Sequence, residues 1–327
     1  MTTKIGGNNM KIRSFLKLVE IQTKVASMIP FILGTVYSLY RFGKFNFLNF
    51  ILMFISLITV DMATTAVNNY MDYKKAVKTK GYGYETHNAI VRDKLKESQV
   101  IAVIFILLAI AVTFGVLLFL NTNVVVLILG AISFAVGILY SFGPIPISRT
   151  PFGEVFSGFF MGFIITFISI YIHIFDQNII NVAFSSTFIN IDVNLVEVLY
   201  IFVLSIPAIS GIANIMLANN ICDIEDDLEN KRYTLPIYIG KEKALKVFST
   251  LYYIAFASIL LLVLLKVESW TCLLVLLTLI PVQKNINLFN KIQTKKDTFV
   301  VGVKNFVTIN VSLILTIVLS LLIRIIF

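Results

Sequence analysis

Two short polar motifs stand where long apolar segments end, and both have the spacing Asn-Asn-x-x-Asp. The first covers residues 68–72 and the second covers residues 219–223, and a further carboxylate, Asp227, follows four positions later. Residues four positions apart share one helix face, so each motif places an amide oxygen beside a carboxylate. Such ligands suit Mg²⁺, which binds one or two carboxylates together with substrate phosphates and water. The pair of motifs therefore predicts a site for a metal-bound diphosphate rather than two ordinary helix caps.

The segments that position these motifs are hydrophobic enough to cross a membrane. Of the 327 residues, 58% are hydrophobic and 14% are charged, against roughly 25% charged in soluble domains. A membrane-crossing helix needs about 20 mostly apolar residues. Nine segments meet this requirement: residues 25–41, 48–70, 98–119, 123–141, 153–175, 197–221, 245–265, 269–283 and 303–325. We therefore expect an all-α polytopic membrane protein with nine transmembrane helices in a bundle around a central cavity, the short eighth helix ending at Pro281.

The distribution of basic residues predicts the orientation of this bundle. Nine spans place alternate loops on opposite sides, and 23 of the 27 Lys and Arg residues fall in one set of loops. The positive-inside rule then places the N-terminus and both motifs in the cytoplasm. The net charge of +9 reports this orientation and contact with lipid headgroups rather than nucleic acid.

Several other classes of protein are excluded by composition. Two Cys and two His residues are too few for a disulfide framework or a Cys/His zinc site.

The outer loop at residues 176–196 has no basic residue and is expected to be a surface connection without chemistry. No obligate protein partner is inferred.

The two motifs and several further stretches resemble the UbiA superfamily of intramembrane prenyltransferases. Residues 68–72 are similar to the first family motif, and Asp223-x-x-x-Asp227 is similar to the second. Stretches at residues 23–24, 140–144, 151–154 and 231–235, together with Gly240, are similar to the branch of the family that acts on 1,4-dihydroxy-2-naphthoate. The sequence departs from the family pattern at Asn69, where the family often has Asp, and at Ala76 and Lys78, where a further Asp is usual.

The resemblance implies that residues 1–327 form one prenyltransferase domain of the bacterial cell membrane, with its active site facing the cytoplasm. The implied reaction, in menaquinone biosynthesis, transfers a polyprenyl group from polyprenyl diphosphate to a small aromatic acid, with Mg²⁺ as cofactor. The implied metal ligands are Asn68, Asp72, Asp223 and Asp227. The implied catalytic residues are Asp72, Asp223, Asp227 and Tyr140. The implied substrate-binding residues are Asn68, Asn69, Lys80, Asn219, Asn220, Lys231, Arg232 and, for the acceptor carboxylate, Lys24.

Other functions stay open on the sequence alone. The acceptor could instead be 4-hydroxybenzoate, homogentisate or a related compound, because acceptor pockets are built from scattered residues. A transporter is also compatible with nine spans, although transport sites lie near the membrane midplane, where Asp61 is the one candidate carboxylate. We expect Asp61 to pair with a neighbouring helix, and Asn214 to form a hydrogen bond between helices. Glu154 begins the fifth span, where a helix N-terminus favours a carboxylate.

Overall fold

The computed structural model describes residues 10–76, 88–177, 179–185 and 187–326. Within these ranges, nine helices are long and apolar enough to cross a membrane. We number them α1 (Ile21–Phe42), α2 (Phe47–Lys75), α3 (Glu97–Leu120), α4 (Val124–Ser141), α5 (Gly153–Ile174), α6 (Leu195–Cys222), α7 (Lys241–Leu264), α8 (Trp270–Lys291) and α9 (Val300–Ile326). All nine predicted spans are confirmed.

Shorter elements precede α1 or connect the long helices. They are the α-helices Ile12–Leu18, Ala89–Arg92, Ile224–Glu229 and Leu235–Ile239, and the 3-10 helix Ile147–Arg149. The loop between α5 and α6 contains an antiparallel hairpin of β1 (Ile180–Phe184) and β2 (Ile189–Val193). An all-α fold did not predict this hairpin, which the β-branched residues of both strands favour.

The predicted end of the eighth span at Pro281 is wrong, because α8 continues to Lys291. The helix changes type before the proline: Trp270–Thr278 is a 3-10 helix, and an α-helical segment, Leu279–Lys291, follows it. Pro281 is therefore the third residue of an α-helical segment. Proline is tolerated in the first turn of a helix, where its missing N–H group has no intrahelical acceptor.

Asparagine side chains begin three of the long helices. Asn46, Asn123 and Asn194 each use the side-chain oxygen to accept a hydrogen bond from a backbone N–H in the first turn of α2, α4 or α6. Such caps satisfy donors that the helix itself leaves unpaired. Gly43 ends α1 with a φ of 65°, a left-handed conformation that glycine adopts without a steric penalty.

Close packing against α5 and α7 fixes the position of α6. A Cβ atom added at Gly162 of α5 would lie 2.5 Å from the backbone nitrogen of Ile209 on α6, so a larger residue would push the helices apart. On the opposite side, Asn214 Nδ2 donates to the Phe248 carbonyl of α7 at 2.9 Å, which confirms the predicted hydrogen bond between helices. These contacts hold the C-terminal end of α6, where the second motif lies, in a defined place in the bundle.

Candidate active site

A cavity of about 470 Å³ lies within the bundle and is lined mainly by residues of α1 to α6. Asn68 of α2 and Asn219 of α6 line it near the helix ends that bear the two motifs. From Asn68 the cavity follows α2 past Asp61 to Met53, a distance of about 22 Å at 1.5 Å per residue. Most of its remaining wall is apolar and includes Leu57, Leu118, Phe134, Phe156, Phe160, Ile165, Ile168, Ile212 and Met216. The cavity therefore joins a polar end to a long apolar channel.

The two asparagines of the first motif lie in different environments. Asn68 Nδ2 lies 3.5 Å from Asp72 Oδ2, so these two residues share a helix face as predicted. Asn69 is buried away from that face, and its side-chain nitrogen donates to the Leu18 carbonyl at 3.0 Å and to Glu20 Oε1 at 3.2 Å. The structure thus brings Asn68 to the cavity and gives Asn69 a role in holding the N-terminal segment.

The second motif meets a cation that the sequence did not identify. Lys295, in the loop between α8 and α9, donates to Asn219 Oδ1 at 2.6 Å and forms an ion pair with the Asp223 carboxylate. Asn220, by contrast, is buried and donates through Nδ2 to Glu154 Oε1 at 2.8 Å. Asn219 and Asp223 therefore point to one site, and Asn220 fixes the start of α5 against α6 instead.

Asp227 lies one turn beyond Asp223, although α6 has already ended. The helix ends at Cys222 and a new helix begins at Ile224, but the backbone N–H of Asp227 still donates to the Asp223 carbonyl at 2.7 Å. The sequence predicted one continuous ladder on a single helix face. In the structure one backbone hydrogen bond links the two residues, but the helix is interrupted at Asp223.

The Asp227 carboxyl group is buried among polar partners. Arg232 Nε lies 3.3 Å from Asp227 Oδ1, and Thr234 Oγ1 donates to Asp227 Oδ2 at 3.2 Å. Burial raises the pKa of Asp227 to about 6; the Arg232 guanidinium acts in the opposite direction, while the Asp223 carboxylate adds to the increase. Arg232 also reaches the Ser148 carbonyl at 3.4 Å. In the structure Arg232 therefore contacts Asp227, and the expectation that Arg232 binds phosphate stays a prediction.

The remaining predicted cations lie in different environments. Lys231 is exposed on the turn after Ile224–Glu229, with a φ of 54°. Lys80 lies outside the described residues. Lys24 is buried, and its ammonium group donates to Asp61 Oδ1 at 2.6 Å, to the Asp61 carbonyl at 3.0 Å and to Thr65 Oγ1 at 2.7 Å. Because an ammonium group has three donors, Lys24 would have to release Asp61 before it could bind an acceptor carboxylate.

Asp61 itself has the structural pairing that the sequence favoured. Besides Lys24, its carboxylate accepts a hydrogen bond from Ser27 Oγ at 2.5 Å. Asp61, Ser27 and Thr65 all line the cavity and form a polar patch on its mostly apolar wall. Tyr140 of α4, a predicted catalytic residue, lines the same cavity.

Sequence reasoning missed two contributors to this site. Lys295 belongs to no motif, and its one signal was its place in a predicted cytoplasmic loop that is rich in lysine. Glu154 was noted for its position at the start of a helix and within the stretch 151–154, but nothing in the sequence linked it to Asn220. Both contacts join residues that are more than 60 positions apart in the chain.

The oxygen ligands that the protein provides fit a magnesium ion only if the substrate supplies further ligands. Among the described residues, no group of three or more His, Cys, Asp or Glu residues is placed to hold a metal ion. Mg²⁺ typically binds one or two carboxylates and takes its other ligands from phosphate and water. The Lys295 ammonium group shows that Asn219 and Asp223 can enclose a positive charge together. The residues present therefore fit a metal ion that is bound jointly with diphosphate.

A membrane bundle with two acidic motifs at one end of an apolar cavity has the form of a membrane-embedded enzyme for substrates with an anionic head and a long apolar tail. Residues 27–321 match the sequence profile of the UbiA prenyltransferase family, so the chain belongs to that family. It is a prenyl-transferring enzyme, which decides against the transporter alternative.

Individual relatives agree with this placement. The chain is 31% identical over 244 residues to the 1,4-dihydroxy-2-naphthoate octaprenyltransferase of Bacillus subtilis (strain 168), which covers 73% of this chain and 70% of that protein. A UbiA homologue from Aeropyrum pernix K1 has a TM-score of 0.64 at 19% identity, covering 88% of this chain and 97% of its own. A UbiA homologue from Archaeoglobus fulgidus, solved bound to GPP and Mg²⁺, has a TM-score of 0.63 at 14% identity, covering 93% and 98%. The two structures establish the shared fold.

Proposed function

We propose that this prenyltransferase transfers a polyprenyl group from polyprenyl diphosphate to 1,4-dihydroxy-2-naphthoate in a reaction that depends on Mg²⁺. The observation that carries the proposal is the cavity itself, because it joins Asn68 and Asn219 to a long apolar channel. A diphosphate bound at the motifs leaves its hydrocarbon tail in that channel. The naphthoate acceptor is supported by the similarity to the Bacillus subtilis octaprenyltransferase. The product would be a demethylmenaquinone-type quinol.

The diphosphate end of the donor would be held from two helices. Asp72 of α2, Asp223 and Asp227 would supply carboxylates to the metal, while Asn68 and Asn219 would contribute amide oxygens. Bound Mg²⁺ stabilises negative charge on the departing diphosphate. Lys231 is exposed nearby along the chain and would neutralise further phosphate charge. The protein's contribution at this end is to fix the head group and its leaving oxygen.

The reacting carbon would lie just inside the cavity, against an apolar and aromatic wall. The allylic C–O bond breaks, and its electron pair leaves with diphosphate. The face of the Tyr140 ring attracts the positive charge that develops on the allylic carbon. A new carbon–carbon bond forms to the electron-rich naphthoate ring, the carboxylate leaves as carbon dioxide, and its electron pair returns to the ring. The apolar wall excludes water that would otherwise capture the cation.

We also propose that the motif-bearing end of the bundle faces the cytoplasm. The support is the distribution of charge, since 23 of the 27 Lys and Arg residues fall in one of the two alternating sets of predicted loops, the set whose members follow both motifs. The apolar exterior of nine membrane helices would lie in the bacterial cell membrane. This orientation exposes the site to a water-soluble acceptor while the prenyl donor enters from the lipid.

The test is a turnover assay on the purified protein in detergent. Farnesyl diphosphate and 1,4-dihydroxy-2-naphthoate are supplied with Mg²⁺ or with EDTA, and the products are identified by mass. We expect a prenylated, decarboxylated product with Mg²⁺ and none with EDTA. Prenylation of 4-hydroxybenzoate alone would refute the acceptor, and no prenylation of either acid would refute the proposed reaction.

A pair of variants in the second motif locates the chemistry. Asp223→Asn should lower kcat by at least about a hundredfold, because it removes a carboxylate from the leaving-group site. Glu225→Gln is the matched control, since Glu225 is exposed on the adjacent short helix and loses the same charge. Equal activity in both variants would show that Asp223 has no part in the reaction.

A further inference from the structure

Lys295 lies outside both motifs but contacts two residues of the second. Its ammonium group reaches both Asn219 Oδ1 and the Asp223 carboxylate. It also lies 5.9 Å from the centre of the Phe299 ring, and Phe299 and Asn219 both line the cavity. The ammonium group therefore occupies the position at the cavity end where the proposed function requires a positively charged ligand.

The loop that bears Lys295 is ordered by its own hydrogen bonds. Thr298 Oγ1 accepts from the Thr294 backbone N–H at 2.8 Å, and the Thr298 N–H donates to the Thr294 carbonyl at 3.1 Å. The Phe299 N–H donates to the same carbonyl at 3.0 Å, and Asp297 N–H donates to Thr294 Oγ1 at 3.2 Å. Thr298 is also buried. A compact turn of this kind fixes the backbone beneath Lys295, so its reach to α6 is set by the fold.

Lys295 and a metal ion would compete for the same two oxygen ligands. Asn219 and Asp223 are the oxygen ligands proposed for the metal, and a lysine ammonium group already uses both. A divalent ion that arrives alone must displace Lys295 and leave its charge beside that of the metal. A metal ion that arrives with diphosphate brings anionic oxygens, to which the displaced ammonium group can donate.

From this arrangement we propose that Lys295 couples metal binding to donor binding. Without donor, Lys295 is the resident cation of the second motif and keeps the affinity for free metal low. With donor, its ammonium group moves from Asp223 to a diphosphate oxygen, and the carboxylate is released to the metal. Lys295 would thus be a phosphate-binding residue as well as a positioning residue for Asn219 and Asp223. The inference rests on the proposed function for the identity of the anion.

The experiment measures binding without turnover. Wild-type protein, Lys295→Gln and Lys296→Gln are purified in detergent. Mn²⁺ binding is followed by electron paramagnetic resonance, with and without inorganic diphosphate, after correction for Mn²⁺ bound by diphosphate in solution. Lys296 is the matched control because it is exposed in the same turn and loses the same charge.

We expect Lys295→Gln to bind Mn²⁺ alone roughly tenfold more tightly, since it loses a competing charged hydrogen-bond donor. The same variant should bind diphosphate in the presence of Mn²⁺ roughly tenfold more weakly. Lys296→Gln should match the wild type in both measurements. Unchanged Mn²⁺ affinity in Lys295→Gln, or diphosphate binding as strong as that of the wild type, would overturn the proposal.

Two further outcomes keep the result interpretable. If Lys295→Gln does not yield monodisperse protein, Lys295→Arg replaces it; retained charge should keep Mn²⁺ binding weak, and tighter binding would overturn the proposal. The binding changes involve no acceptor. If they appear in a protein that does not prenylate 1,4-dihydroxy-2-naphthoate, the proposed acceptor fails while the role of Lys295 stands.

Discussion

Replacing Asp227 by Asn should stabilise the protein at the same time as it removes activity. The substitution keeps the shape of the side chain and prevents its ionisation. The pKa of Asp227 is raised from 3.8 to about 6, chiefly because the carboxyl group is buried, and its side chain is only 6% exposed. A shift of roughly two units corresponds to about 3 kcal/mol of free energy that the folded state loses when Asp227 is ionised.

The pH dependence follows from proton binding. Between pH 3.8 and about 6 the folded state holds a proton on Asp227 that the unfolded chain has released. The free energy of unfolding therefore falls as the pH rises through this window, and the loss is complete above about pH 6. The variant avoids that loss. Its advantage in stability should be largest near about pH 8 and should vanish near about pH 4.

The assay compares thermal unfolding in detergent at the two pH values, together with turnover at the higher one. Asp227→Asn should unfold at a higher temperature than the wild type at about pH 8, and its kcat should be at least about a hundredfold lower. Opposite effects on stability and activity are typical of a residue retained for function. A variant that is less stable than the wild type at about pH 8 would refute the reasoning, because Arg232 would then stabilise the ionised carboxylate more than burial destabilises it.

Glu268 provides the matched comparison. It lies between α7 and α8, outside the cavity lining, and is 4% exposed. Burial raises its pKa to about 8, and the hydrogen bond from the Cys272 thiol opposes that increase. Glu268→Gln should therefore also gain stability as the pH rises toward about 8, but with full turnover. Loss of turnover in both variants would mean that removal of a buried carboxyl group disturbs the cavity as a whole.

Further predictions concern the walls of the cavity. Asp61→Asn leaves the buried ammonium group of Lys24 without its counter-charge and should cost about 3–5 kcal/mol of stability, measured as a lower melting temperature. The double variant with Lys24→Met should recover most of the lost stability. An unchanged melting temperature in Asp61→Asn would contradict the prediction. Gly130 lines the cavity about 15 Å along α4 from Tyr140, and a Cβ there would meet no atom within 4 Å. Gly130→Phe should therefore reduce kcat/KM for octaprenyl diphosphate more than for geranyl diphosphate, and equal loss with both donors would argue against a tail in the channel. Tyr140→Leu should lower kcat by roughly thirtyfold, because an aromatic face stabilises a desolvated cation by about 2 kcal/mol. Tyr140→Phe should keep most of the wild-type kcat. Similar losses in both variants would assign the role to the hydroxyl group instead.

The sequence by itself determined the nine long helices of this protein and the pairing of residues within each motif. Apolar segments long enough to cross the membrane must form helices there, because a lipid environment leaves backbone groups no other hydrogen-bond partners. Spacing of four then places Asn68 with Asp72, and Asn219 with Asp223, whatever the surroundings are. These predictions depend only on local geometry and hydropathy. The same local rules wrongly ended the eighth helix at Pro281, because they could not show that a 3-10 segment precedes the proline.

Only the tertiary structure decided which polar residues reach the cavity and which partners they meet. Asn69 and Asn220 belong to the motifs just as Asn68 and Asn219 do, yet both are buried away from the cavity. Asn69 forms a hydrogen bond with the N-terminal segment, and Asn220 forms one with Glu154. Lys24 of α1 forms an ion pair with Asp61 of α2. Lys295 contacts the second motif from a loop more than 70 residues away in the chain. Such pairings depend on how helices rotate and pack against one another, and that rotation is fixed by close contacts such as Gly162 against Ile209. No single segment contains that information, since it arises only when the helices are assembled.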